Sequence, residues 1–585
     1  MKYIRPAVLV FLTFYLSSCS VRKSNVDLVL LNGDIQTLDS NFPEAEAVAV
    51  DGGRIVGVGT NSAVESHFSG RITIDLHGAY VLPGLTDGHA HILELGMSLR
   101  TLDLTSARSP QEAARLVEEA TARTRLGGWI RGSGWDAASW RGQLQSMTGL
   151  LDKAAPDNFV LLVSADGGAV WVNSKVLELA GVTRTTKSPE GGQIIKDSRG
   201  NLTGVLTGSA VGLITHSIPA PSESEIEDAM LAACDTCARY GLTEVQDAGV
   251  DSRTLEAYRL LADQGRLKLR VYAMYDGNDS TLPAMLKKGI LVDYKDYLTM
   301  RAVRVDMDGP LRTRQAALVR EYSDAPGQYG STNLGEKDLE NLTIASLSSG
   351  FQVCTEARGD RACDVALNAY EKALRATGES DARLRIEGTE VLLTSDVPRF
   401  SALGILPSSE ANDFASSMFW LESRLGSRRI RNAYPWQALI QEGAVIIGGS
   451  GFPENSVDPR LGIYTSIARK DMFGNPKSYS DARKYFELTA DAAADSSLFD
   501  GGFVPREGMT LDQALKSFTV WPAYGAFQEK TKGTISVGKY ADFTLFKSDL
   551  RRIPVGAIPA DEVLATLVGG HLVYISPSAG ELSVK

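Results

Sequence analysis

The sequence predicts an α/β protein: a (β/α)8 barrel of TIM type, a small β-sandwich built from both ends of the chain, and an insertion near the barrel mouth. Three observations lead there. Short apolar segments followed by helix-length segments recur between residues 85 and 532. Short strands punctuated by glycine turns occupy residues 27–82 and again 533–575. A Gly- and turn-rich stretch from about 103 to 225 interrupts the barrel rhythm.

At 585 residues, with 43% apolar and 22% charged positions, the chain is long enough for two or three cores. Its formal net charge of −11 and lack of a long basic run argue against a nucleic-acid partner, since phosphate binding needs clustered Lys and Arg.

The first residues read as a targeting segment. Lys2 and Arg5 give a positive start, and Pro6 to Leu16 is apolar but too short to span a bilayer. Leu16-Ser17-Ser18-Cys19 resembles the bacterial lipobox, which implies removal of residues 1–18 and lipidation of Cys19. Ordinary secretory cleavage near the same place is the alternative. With Ser20 next, the lipobox reading places the protein in a bacterial cell envelope, membrane-anchored through Cys19 and expected at the outer membrane facing the periplasm.

Residues 19–84 then supply the lipidated N-terminus and the first half of the sandwich. Asp27 to Leu31 is one strand, and Ala47 to Val50 joins Ile55 to Val58 through Asp51-Gly52-Gly53, a hairpin signal. Residues 533–585 supply the second half and a tail, with Ala541 to Leu545 as strand. Neither half would bury much alone. In the barrel region, 85–532, strand candidates are Leu242 to Gln246, Arg301 to Met307, Phe351 to Thr355, Leu384 to Glu387 and Val445 to Ile447. Four cysteines follow Cys19; Cys234 and Cys237 have the spacing of a redox or zinc pair but sit on a helical run, where positions three apart are simply neighbours on one face. Packing is the favoured reading. Trp135, Trp140 and Trp171 either wall a pocket beneath the insertion or pack in a core.

Asp87-Gly88-His89-Ala90-His91 is the most informative stretch. Side chains alternate along a strand, so His-x-His at a strand end puts two imidazoles on one side, a geometry suited to a divalent metal. Such a pair also occurs as hydrogen-bonded packing. A catalytic zinc usually takes three protein ligands and keeps a fourth position for water. Yet no histidine lies between Ser217 and Gly570, while His67, His77 and His571 fall in the sandwich and His216 in the insertion.

Several motifs occur in a fixed order: Leu82-Pro83-Gly84-Leu85-Thr86 leading into the His-x-His stretch, Gly132-Ser133-Gly134-Trp135-Asp136, Pro189-Glu190-Gly191-Gly192, and Gly241-Leu242-Thr243-Glu244-Val245-Gln246-Asp247-Ala248-Gly249. Later come Asp308-Gly309 with Arg314, Ala325-Pro326-Gly327-Gln328, Gly359-Asp360, Arg385-Ile386-Glu387, and Gly449-Ser450 before Phe452-Pro453. On these motifs the chain resembles the amidohydrolase superfamily, in the branch that includes N-substituted formamide deformylase, from about residue 27 to 575. The resemblance implies a barrel with a β-sandwich, and one or two metals that hydrolyse non-peptide amide and other C–N bonds of small molecules.

Carried over position by position, the family's site is largely substituted. His89 and His91 match its first-strand ligands. The bridging lysine falls at Arg304, the next histidine at Glu356, the histidine after Arg-Ile-Glu at Gly388, and the last-strand aspartate at Gly451. A substrate-side histidine falls at Gly168, and the Gln-Pro-x-His segment becomes Glu410-Ala411-Asn412-Asp413. Arginine keeps its proton at ordinary pH and cannot form the carbamate that bridges two metals. Loss of the general base alone costs ~10²- to 10⁴-fold in rate. Without metal, nothing brings the pKa of water down to about 7.

Two readings follow. In one, Arg304, Asp306, Asp308, Glu356 and Arg358 form a compensating ion-pair network, no cofactor is bound, and a small ligand is recognised without the family's hydrolysis. In the other, one divalent metal such as Zn is held by His89, His91 and Glu356 and hydrolyses N-acyl or N-formyl compounds, with Asp308 or Glu390 as candidate base.

Overall fold

A computed structural model describes residues 23–136, 140, 143, 144, 147, 149–485 and 496–584. Cys19 and the targeting segment lie outside these residues. The barrel consists of eight strands, here β1 (Leu85–Ala90), β2 (Leu242–Val250), β3 (Arg270–Asp276), β4 (Leu298–Asp306), β5 (Gln352–Ala357), β6 (Arg385–Gly388), β7 (Leu406–Glu410) and β8 (Ile447–Gly449). Each pairs in parallel with the next.

The barrel closes between β1 and β8. The Gly451 N–H donates to the His89 carbonyl at 3.0 Å and the His91 N–H to that of Phe452 at 3.0 Å. Asp87 Oδ1 accepts from the N–H of both His89 and Ser450 at 3.1 Å. Gly88 is required by this closeness, because a Cβ there would lie 2.7 Å from the Gly448 carbonyl oxygen. Asp-Gly-His therefore does structural work before any chemistry is considered.

The five expected strands form, each shifted by one to four residues at its start or end. The strands β3 and β7 were not among them. Leu406-Pro407-Ser408-Ser409-Glu410 contains a proline and two serines and lacks a strand's apolar signature, so only its place between β6 and β8 makes it one. The barrel interior is unusually polar. Tyr272 donates to Gln352 at 2.9 Å, Gln246 donates to the Pro522 carbonyl at 3.0 Å, and Arg385 is fully buried among them.

The sandwich forms from both chain ends as expected. One sheet holds Ser24–Leu31, Ala47–Asp51, Arg54–Gly59, Phe68–Asp75 and the terminal Ser583–Val584; the other pairs Asp34–Gln36, Glu44–Ala45 and Tyr80–Pro83 with Phe543–Phe546, Val563–Val568 and His571–Ile575. Its shared core includes Leu30, Val48, Val81, Phe543 and Leu567. The Gly52-Gly53 turn has φ of 57° and 75°, the left-handed pair that a two-residue hairpin demands.

The insertion leaves after the helix α1 (Ile92–Leu99) and returns before the helix α3 (Glu223–Arg239), and it is more ordered than its turn-rich sequence suggests. It forms a six-stranded sheet from Leu102 to Gly208, flanked by the helix α2 (Pro110–Thr121). Trp135, Trp140 and Trp171 are at most 1% exposed and pack on one another, so they are core residues. Cys234 and Cys237 are also fully buried in packing on α3, and burial pushes the Cys234 thiol up to about 12.

Candidate functional site

The site is a column of charge rising through the barrel interior. Period-two alternation points Arg385 and Glu387 of β6 inward on one face. Both are 0% exposed. Their ion pair spans 2.7 Å between Nε and Oε1, with a second contact from Nη2 to Oε2 at 3.0 Å. Glu387 Oε2 lies 2.9 Å from His89 Nδ1. His89 Nε2 on the far side of the ring faces Glu356 Oε2 at 3.4 Å and Glu410 Oε1 at 3.7 Å.

Above His89 the carboxylates are themselves engaged. Arg304 Nη2 reaches Glu356 Oε2 at 3.4 Å and Asp306 Oδ1 at 2.7 Å. Arg358 Nε donates to Glu356 Oε1 at 3.0 Å, and its Nη1 reaches Glu390 Oε1 at 3.4 Å. Both oxygens of Glu356 are thus in contact with guanidinium groups.

The electrostatics follow from this packing. Burial opposes charge on His89, but Glu410, Glu356 and Glu387 outweigh it and raise its pKa to about 9, so the ring is an imidazolium at neutral pH. Burial pushes Glu356 up, yet Arg358, His89 and Arg304 hold it well below the usual carboxylate range. Glu410 is raised to about 7 by burial, partly offset by His89. His91 differs from its neighbour: burial, His89 and Arg304 lower it to about 4, so it is neutral. Its Nδ1 lies 2.8 Å from the Ala248 carbonyl oxygen, which makes it the donor there.

The structure brings His89, Glu356, Arg304 and Arg358 together. Among the described residues, His89, Glu356 and Glu410 place one ligand atom each within 4.8 Å of one another, and His91 is outside this trio. That spacing would let one divalent ion touch all three. The donor set does not fit the family's two-metal chemistry, however, because only three ligand atoms converge among the described residues and Glu356 is already paired with two guanidiniums.

Neither base candidate has a free carboxylate. Asp308 accepts from the backbone N–H of Ala317, Arg358 and Gly359 at 2.8–2.9 Å and so organises two loops. Glu390 is buried beside Arg358, with burial raising its pKa well above the usual range. Gly168 sits in an exposed turn capped by Asp166, where a Cβ would meet only that carboxylate. His216 is exposed on the insertion, bonded to the Gly212 carbonyl.

Gly388 and Gly451 explain how the substitutions fit together. A Cβ at Gly388, φ +82°, would lie 3.0 Å from Glu356 Oε1; one at Gly451, φ +70°, would overlap Glu410 Oε2 and lie 3.1 Å from its carboxyl carbon. The two glutamates occupy the volume that side chains at these glycines would need. Sequence reasoning missed Glu410 and Glu387 as members of the site. The available signal for Glu410 was a carboxylate at the histidine-bearing segment; Glu387 offered none beyond period two from Arg385.

This barrel, its accessory sandwich and the His-x-His segment at the end of β1 are those of the metal-dependent hydrolase fold. The chain belongs to the amidohydrolase family, whose model matches residues 73–574. It is 30% identical over 562 residues to Protein LONG AFTER FAR-RED 3 of Arabidopsis thaliana, covering 94% of this chain and 91% of that one. It is 25% identical over 563 residues to N-substituted formamide deformylase of Arthrobacter pascens, covering 94% and 98%. In fold it is similar to an uncharacterized metal-dependent hydrolase from Pyrococcus horikoshii OT3, with a TM-score of 0.70, 23% identity, and 90% and 99% of the two chains covered. No helix among the described residues is long and apolar enough to cross a membrane.

Proposed function

We propose that this protein is a lipid-anchored amidohydrolase-family member that has exchanged metal catalysis for an internal ion-pair network, and that it recognises a small molecule at the barrel mouth without hydrolysing it as the family does. The observation that carries this reading is the double engagement of Glu356. A divalent ion drawn to His89, Glu356 and Glu410 would have to displace a proton from His89 and the guanidiniums of Arg304 and Arg358 from their carboxylate. Two fixed cations beside the ion would repel it throughout.

Protein purified without chelator is expected to contain well below one equivalent of metal, unchanged in His89→Ala and His91→Ala, by elemental analysis. The three clustered ligand atoms favour a second reading, a one-metal hydrolase of N-acyl or N-formyl compounds. Stoichiometric metal lost in His89→Ala, with hydrolysis lost in parallel, would establish that reading and remove the first.

The anchor rests on Leu16-Ser17-Ser18-Cys19 and is independent of the site. A single acyl chain binds membranes only marginally, whereas multiple chains hold a protein stably. In a bacterial host the full chain is expected in the membrane fraction with incorporated labelled palmitate, and Cys19→Ala is expected to lose both. A Cys19→Ala chain that still carries label would contradict the anchor.

A further inference from the structure

A cavity of about 680 Å³ opens between the insertion and the outer helices of the barrel, lined by residues from α1, α2, the insertion strand Trp129–Trp135 and the start of α3. None of its lining belongs to the charge column, and the volume falls within the ~300–1,000 Å³ usual for small-molecule sites. Its apolar wall includes Met97, Leu102, Leu116 and Trp129, whose indole is stacked on Phe159 with centroids 5.0 Å apart.

Four arginines and three acids line the same space, and each acid is engaged by a neighbouring group, one of them by the lining residue Arg100. Glu119 pairs with Arg115 one helical turn away, and Asp228 pairs with Arg100 at 3.5 Å. Glu225 closes the N-terminal box of α3, accepting from the Ser222 N–H at 2.9 Å and its hydroxyl at 2.8 Å. Arg125 and Arg131 exert only a longer-range pull on it. Among the described residues Arg123, Arg125 and Arg131 form no ion pair. Arg131 Nε is shut off from solvent with no hydrogen-bond partner, and its guanidinium carbon lies 5.6 Å from the Trp129 ring centroid. A guanidinium that lines an open cavity without an ion-pair partner is available to the anionic head of a ligand.

We propose that this cavity binds a small amphipathic organic anion. Its carboxylate or phosphate head would be gripped by Arg131, Arg125 and Arg123, and its aliphatic or aromatic body would lie against Trp129 and Leu116. The planar guanidinium forks suit either head group, and the apolar wall excludes simple inorganic anions as the best fit. This site is independent of the reading of the barrel mouth.

Calorimetric titration of the full chain with octanoate, octyl phosphate and octan-1-ol tests it and separates the two head groups. At least one anion is expected to bind at one equivalent, with octan-1-ol at least tenfold weaker. Arg131→Gln is expected to weaken anion binding at least tenfold. The double variant Arg123→Gln, Arg125→Gln alters only exposed side chains and is expected to weaken it at least threefold with the fold intact. The proposal is overturned if neither anion binds, if octan-1-ol binds as well as both, or if the Arg123/Arg125 variant binds like the parent.

Discussion

Glu356→Ala is expected to destabilise the protein by about 3–5 kcal/mol, the cost of removing one partner from a buried charge network. Glu356 is 2% exposed and is the carboxylate shared by Arg304, Arg358 and His89. Its loss leaves two guanidiniums and an imidazolium facing one another, with Glu387 at 2.9 Å and Glu410 at 3.7 Å as the remaining counter-charges to His89. Neutralising the other side relieves that imbalance, so Arg304→Met is expected to recover part of the loss. In a double-mutant cycle read by urea denaturation, the coupling between positions 304 and 356 should reach about 0.5–3 kcal/mol. Additive effects at the two positions would show that the pair is not a network, and the reading of the site would fail with it.

Gly451→Asp should be nearly as damaging, although it restores the residue type that the family resemblance places there. Two terms contribute: a left-handed backbone at φ +70°, worth about 1–2 kcal/mol for most side chains, and overlap with Glu410, for which overpacking costs of about 1–3 kcal/mol are usual. Bringing a second carboxylate onto Glu410 adds repulsion. Pairing the substitution with Glu410→Gly is expected to return more than half of the lost stability, because it empties the overlapped volume. Thermal melts of the single and double variants decide the matter. Equal stability of Gly451→Asp and the parent would mean that Glu410 does not occupy this space.

Reading the sequence went furthest where local chemistry has one outcome. Asp51-Gly52-Gly53 forms its hairpin because only glycine accepts two successive left-handed positions cheaply, and the barrel strands appear because apolar runs of that length alternate with helices. It went less far at the site. Asp308 was a candidate base by residue type, but three backbone N–H groups converge on it, Ala317 from its own loop and Arg358 and Gly359 from the loop after β5, the latter two at a sequence separation that no local pattern encodes. His91 paired with His89 by spacing, yet burial together with His89 and Arg304 lowers the His91 pKa while Glu410, Glu356 and Glu387 raise that of His89, which gives the two rings opposite protonation states.

The sequence by itself determined the family, the (β/α)8 barrel with its two-ended sandwich, and the replacement of lysine, histidines and aspartate by Arg304, Glu356, Gly388 and Gly451. These are properties of residue order, fixed by short-range periodicity and by motifs. Only the tertiary structure decided that the replacements compensate one another: Glu356 leans over Gly388, Glu410 fills the space at Gly451, and Glu387 carries the charge of Arg385 to His89. The physical reason is that buried charge must be matched in three dimensions, and strands distant in sequence meet around one barrel axis to match it.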